Sequence, residues 1–129
     1  MFAGNAEKGR LSVSDLASSN GVFHIARTMC GTPLGCGAFW HFDKETAEVI
    51  RLYSRPNACG VGHLILQCIE SEATARGYRR LLFAMTAVNL RAIRFYERNG
   101  FTPVQRYGAY ANRLDVQCFQ KVLRQTLDD

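Results

Sequence analysis

The chain has 129 residues, 47% of them hydrophobic and 21% charged, a balance that fits one compact domain with an ordinary core and argues against several. Sixteen Lys and Arg against eleven Asp and Glu leave a net charge of +5, and thirteen of those cations are Arg, whose planar fork suits phosphate and carboxylate groups. The excess is spread from Arg51 to Arg124 without a basic run, so a polyanionic small molecule is the expected ligand and a nucleic acid is not.

Five cysteines (Cys30, Cys36, Cys59, Cys68 and Cys118), odd in number and irregularly spaced, speak against a secreted disulfide framework and for a reducing compartment. No CxxC pair occurs, and His24, His41 and His63 do not stand at ligand spacing with the cysteines, so no metal is expected. No apolar run approaches the roughly 20 residues that span a bilayer, and residues 1–20 lack the charged and apolar regions of a signal peptide. The expected location is cytoplasmic, with no membrane partner.

In chain order, residues 1–20 are polar and weakly patterned, and they read as a lead-in with at most one short helix near Leu11–Ala17, the domain proper being 21–129. Gly21–Thr28 reads as a strand, and the turn Cys30-Gly31-Thr32-Pro33 leads to a second strand, Leu34–Phe42, with Cys36, Ala38, Trp40 and Phe42 on one face. Ala47–Ser54 follows the charged turn Asp43-Lys44-Glu45 and completes an antiparallel meander. From Gly60 the period becomes helical, with Val61, Leu64, Ile65, Cys68 and Ile69 on one side and Gly77 as a stop. Leu81–Val88 is a continuous apolar run of central-strand type. Asn89 can cap a second helix with Ala92, Ile93 and Tyr96 facing inward, and Asn99-Gly100 ends it. Phe101–Tyr107 and Leu114–Leu123 finish an α/β (α+β) fold of order βββαβαββ, a mixed sheet with helices packed on it.

Two segments carry chemistry. Cys59-Gly60-Val61-Gly62-His63 joins a strand to a helix, and its two glycines free backbone N–H groups to meet an anion at the positive helix end. A tight turn alone would also need those glycines, and neither a dinucleotide fingerprint nor a P-loop is complete here. The second segment, Asn-Leu-Arg-Ala-Ile-Arg-Phe-Tyr-Glu-Arg-Asn-Gly-Phe from Asn89 to Phe101, sets an amide, a small residue and a phenol on one helix face before a glycine stop.

This stretch resembles the GNAT superfamily of N-acetyltransferases, in which an Asn opens the helix, a Tyr follows seven residues on and Gly-Phe closes it. The likeness extends over residues 21–123, including the strand Ala47–Ser54 and the tail Arg106-Tyr107-Gly108-Ala109-Tyr110. It implies a mostly antiparallel sheet, acetyl-CoA as co-substrate, and a small-molecule or peptide amine as acceptor. Under it, the backbone of Leu52, Tyr53 and Ser54 pairs with the pantetheine amides of acetyl-CoA, as an added strand pairs with a sheet edge. The loop from Cys59 through Gly60, Val61, Gly62 and His63 receives the pyrophosphate. Asn89 lies near the pantetheine arm, Ala92 leaves room for it, and Tyr96 lies near the thioester sulfur as general acid. A phenol, with an ordinary pKa of about 10, is protonated at neutral pH and can donate to a departing thiolate.

Attack by an amine also needs a base, and the resemblance points to Glu48, where some members carry a catalytic carboxylate; regular alternation sets it on one strand face with Ile50 and Leu52. A strand-edge carboxylate paired with an Arg is the competing reading, and His41 and His24 are weaker candidates for the base. Trp40, Phe42, Tyr107 and Tyr110 are available to line an acceptor pocket or to pack in the core.

The sequence departs from the family in two places. Arg55-Pro56-Asn57-Ala58 runs straight into Cys59-Gly60-Val61-Gly62, about two residues short of the usual phosphate loop and without its Arg or Gln. The family's first strand and helices have little room in residues 1–20, which would leave Gly21–Thr28 as an exposed edge that a second copy can cover, forming a homodimer. Both departures also suit a non-catalytic acyl-CoA-binding or protein-interaction module. A ping-pong route through a cysteine has no base partner in sequence, although Cys59 at a helix start is the one thiol placed for it.

Overall fold

A computed structural model describes residues 11–17, 21–56, 58–86 and 89–123. One sheet of seven strands organises them, in the order β1-β2-β3-β4-β5-β7-β6. The strands are β1 (Leu11–Ala17), β2 (Gly21–Thr28), β3 (Pro33–Asp43), β4 (Thr46–Ser54), β5 (Arg80–Thr86), β6 (Thr102–Val104) and β7 (Val116–Val122). The helices are α1 (Val61–Ala75), between β4 and β5, and α2 (Leu90–Arg98), between β5 and β6. Every strand pair is antiparallel except β4 with β5.

Three sequence expectations are corrected. Leu11–Ala17 is a strand and not a short helix or loop, so the order is ββββαβαββ and residues 1–20 do supply a strand ahead of Gly21–Thr28. It pairs along its whole length with β2, from Leu11↔Thr28 to Ala17↔Val22. Consequently Gly21–Thr28 has strand partners on both sides, and the dimer contact reasoned from its exposure loses its premise. Third, Phe101–Tyr107 is mostly not strand: only Thr102–Val104 pairs with β7, because the chain then turns through a 3-10 segment at Gly108–Tyr110. Of the run Leu81–Val88, residues 87–88 lie outside the described residues.

Both helices lie on one face of the sheet. The side chain of Lys121 on β7 joins them, donating to Glu70 Oε2 of α1 at 2.9 Å and to the carbonyl of Asn99, the C-cap of α2, at 2.8 Å. Val61, Ile65, Leu66, Ile69 and Ala73 of α1 are buried against Phe39, Val49, Leu81 and Phe119 of the strands. Burial of such side chains at about 1.5–3 kcal/mol each is the main term holding the helix to the sheet. Close approach needs Gly37, where a Cβ would fall 2.5 Å from Ile65 Cγ2. Among the described residues no α-helix covers the other face, on which Trp40 and Tyr53 stand half or more exposed.

β4 contains a bulge. Ala38 faces Arg51 while the next residue, Phe39, faces Val49, so Ile50 is the extra residue of β4. A bulge reverses the alternation beyond it. Leu52 therefore points at α1, beside Gly37, whereas Glu48 points with its partner Trp40 to the helix-free face. The expectation that Glu48 shares a face with Leu52 is thus overturned by one unpaired residue.

Candidate active site

The parallel pairing of β4 with β5 runs only from Thr46↔Arg80 to Val49↔Phe83, although β4 continues to Ser54 and β5 to Thr86. Past Val49 the two strands part, and among the described residues the backbone groups of Ile50–Ser54 on that side have no strand to bond. Unpaired backbone at such a fork is an acceptor for another extended amide chain.

A concavity of about 420 Å³ lies beside the fork on the helix-covered side. Leu52 and Ser54 of β4, Gly62 of α1, and Asn89, Ala92 and Tyr96 of α2 line it, bringing together six of the residues expected to hold acetyl-CoA. Arg91, Phe95 and Arg98 line it too, and sequence reasoning missed them. Their helical spacing was the available signal, since Arg91 and Arg98 are seven residues apart and share a face of α2. The chain at Asn89 turns into α2 with its side-chain carbonyl accepting from the Ala92 N–H at 3.1 Å, so this amide caps the helix while lining the groove.

The loop between β4 and α1 ends at Gly60, whose φ of 81° is the left-handed conformation that glycine adopts without strain. No side chain caps α1 and its first turn carries no acid. The Val61 N–H bonds the Ala58 carbonyl at 3.2 Å, whereas none of the described residues takes the Gly62 and His63 N–H groups. Two free N–H groups at a positive helix end make a short anion cradle. Cys59 and Gly60 are exposed at its mouth. His63 also links the helices: its Nδ1 lies 2.7 Å from Asn99 Oδ1. Because the Asn99 amide nitrogen donates to the Phe95 carbonyl at 2.9 Å, Oδ1 is the acceptor and His63 Nδ1 the donor.

Tyr96 is 3% exposed. Its ring stacks on Phe83 at 4.0 Å and meets Phe95 and Phe101 edge-on at 5.3 and 5.2 Å. Burial pushes the phenol well above the ordinary tyrosine value, which keeps its proton in place. Among the described residues its hydroxyl has no hydrogen-bond partner.

Glu48 occupies the opposite side of the sheet at the same fork, one residue before the last β4–β5 pair. It is 8% exposed, and each oxygen accepts one bond: Oε1 from Trp40 Nε1 at 2.9 Å and Oε2 from the Tyr107 hydroxyl at 2.8 Å. No described Lys or Arg pairs with it, unlike the Arg-paired carboxylate of the competing reading. Tyr107 stands edge-on to Phe42 and Tyr110 at 5.3 and 5.6 Å. His24 and His41, the other base candidates, share the helix-covered face with their partners Gly37 and Ala47, and His41 Nδ1 lies 2.9 Å from the Tyr78 hydroxyl. None of the five cysteines is in a disulfide, and Cys59 is exposed.

Residues 5–101 match the family described as Acetyltransferase (GNAT) family. The chain belongs to the GNAT acetyltransferase family. Relatives agree. An IAA acetyltransferase of Azospirillum brasilense is 35% identical over 104 residues, 78% of this chain and 67% of that protein. A GNAT family acetyltransferase from Elizabethkingia anophelis, solved with acetyl-CoA bound, superposes with a TM-score of 0.75 at 13% identity, covering 88% of this chain and 99% of the other. A PaiA N-acetyltransferase from Thermoplasma acidophilum, solved with coenzyme A, gives 0.68 at 21% identity, covering 80% and 61%. At these identities the structural likeness is one of GNAT fold. Among the described residues of this GNAT chain, no helix is long and apolar enough to cross a membrane, and no cluster of three or more His, Cys, Asp and Glu could hold a metal.

Proposed function

We propose that this GNAT chain transfers an acetyl group from acetyl-CoA to an amine by direct attack in a ternary complex, with Glu48 as general base and Tyr96 as general acid. The observation that carries the proposal is the fork itself, with a buried carboxylate on one side of the sheet and a buried, protonated phenol on the other. Bound acetyl-CoA supplies the activated acetyl group. Its pantetheine amides pair with the free edge of Leu52, Tyr53 and Ser54, and Asn89 and Ala92 border that arm. Gly62 and His63 present N–H groups to the pyrophosphate, with Gly60 setting the turn and Cys59 at the mouth. Arg91 and Arg98 add positive charge from the facing wall, where the shortened loop lacks its own Arg or Gln. On the helix-free side the amine approaches between Trp40, Tyr107 and Tyr110, and Glu48 takes its proton. Tyr96, held neutral by burial, then protonates the leaving thiolate from the helix side.

A non-catalytic acyl-CoA-binding module is the second reading, favoured by the two donors that already engage one lone pair on each oxygen of Glu48. The two separate on isothermal titration followed by turnover. Micromolar binding of acetyl-CoA and CoA at physiological salt, with acetylation of at least one amine in a screen, supports the enzyme. Binding without any turnover supports the module, and no binding at millimolar acetyl-CoA defeats both.

A further inference from the structure

The geometry points to Tyr107 as a positioning residue, which, with Trp40, clamps the Glu48 carboxylate and ties the segment between β6 and β7 to the base. The inference rests on Glu48 acting as the base.

The two donors come from different elements, Trp40 from β3 and Tyr107 from the segment after β6, separated from Glu48 by 8 and 59 positions in sequence. Each takes a different carboxylate oxygen, at 2.9 and 2.8 Å, so the plane of the carboxylate is fixed by two points rather than one. One bond per oxygen leaves a further lone pair on each, so acceptor capacity for an amine proton is retained. Both donors are uncharged. A guanidinium or ammonium in their place would hold the carboxylate as an ion pair and weaken it as a base, and no described cation forms such a pair. Among the described residues, Cys118 of β7 also neighbours both Glu48 and Tyr107, with Tyr110 beside Tyr107 and Arg106 beside Cys118.

Tyr107 is itself held. Its ring is braced edge-on by Phe42 of β3 and by Tyr110 of the 3-10 turn. Burial and the neighbouring Glu48 both favour the protonated phenol, so it remains a donor across the working pH range. The turn at Gly108–Tyr110 begins at the next residue, so the wall that faces an incoming amine and the base it meets are joined by one hydrogen bond.

A double-mutant cycle tests this, with wild type, Glu48→Gln, Tyr107→Phe and the double variant assayed for acetyl transfer to the best amine of the screen. Positioning predicts that Tyr107→Phe lowers kcat about tenfold with the KM for acetyl-CoA unchanged, and that it costs nothing further once Glu48 is Gln. Trp40→Phe, at a half-exposed site, keeps an aromatic ring, though a smaller one, and removes the donor, and serves the same cycle if Tyr107→Phe folds poorly. Unchanged kcat in the single variants overturns the inference, as does an equal fold-loss in both backgrounds, which would mean that Tyr107 acts independently of Glu48. Wild-type kcat in Glu48→Gln is a different failure, because it removes the base itself and with it anything that positions the base.

Discussion

The two sides of the sheet at the β4–β5 fork are built on different physics. On the helix-covered side Tyr96 is fixed by three aromatic contacts and its hydroxyl has no described hydrogen-bond partner. On the helix-free side Glu48 is fixed by two hydrogen bonds, from residues that are themselves partly exposed. Packing holds a group in place while leaving its polar atom available. Hydrogen bonding orients a charged group but commits part of its valence. The proposed acid, which must give a proton once, and the proposed base, which must receive one in a defined direction, match these two settings.

If that division holds, disturbing the open side should cost most. Glu48→Gln removes the proposed base and strands one of two donors, and kcat is expected to fall about a thousandfold in the acetylation assay. Tyr96→Phe leaves all three ring contacts and removes only the proton, so a fall in kcat of about a hundredfold is expected, with acetyl-CoA affinity by titration unchanged. A matching loss of affinity would mean that Tyr96 binds rather than reacts. Gly37→Ala probes packing alone: a Cβ 2.5 Å from Ile65 should destabilise the fold by about 1–3 kcal/mol in urea unfolding, with kcat of the folded fraction retained. Arg98→Gln should weaken CoA binding about tenfold and leave pantetheine binding unchanged, since only CoA carries phosphates. The smallest expected effect is an absence. Burial raises the Tyr96 pKa, so the active protonated form persists through the ordinary phenol midpoint near pH 10. The pH profile of kcat should therefore show no alkaline fall from this group up to that point.

The same contrast explains what the sequence made legible. The Tyr96 side was readable because Asn89, Ala92 and Tyr96 lie on one short helix whose cap, face and glycine stop are all local signals. Glu48 could be singled out by the family resemblance, but its environment could not, because Tyr107 reaches it from 59 residues away and the bulge at Ile50 is a property of pairing rather than composition. Alternation beyond an unseen bulge gives the wrong face, and it did so for Leu52 relative to Glu48. The strand at Leu11–Ala17 was missed for a different reason. Leu11 and Val13 alternate with serines as a strand should, yet Ser14 and Asp15 lower its intrinsic strand preference, and pairing with β2 outweighs that preference. Arg91 and Arg98 carried a signal in their spacing, but their relevance needed the groove that Leu52, Ser54 and Gly62 complete from other elements.

The claim that the fork is where acetyl transfer occurs is tested most directly by a crystal structure of the chain with acetyl-CoA. The expected result is pantetheine paired with Leu52–Ser54 and the thioester at the divergence of β4 and β5, with the Tyr96 hydroxyl at hydrogen-bond distance from its sulfur and Glu48 facing its carbonyl carbon from the other side. A thioester remote from both residues, or acetyl-CoA seated away from the fork, would contradict it.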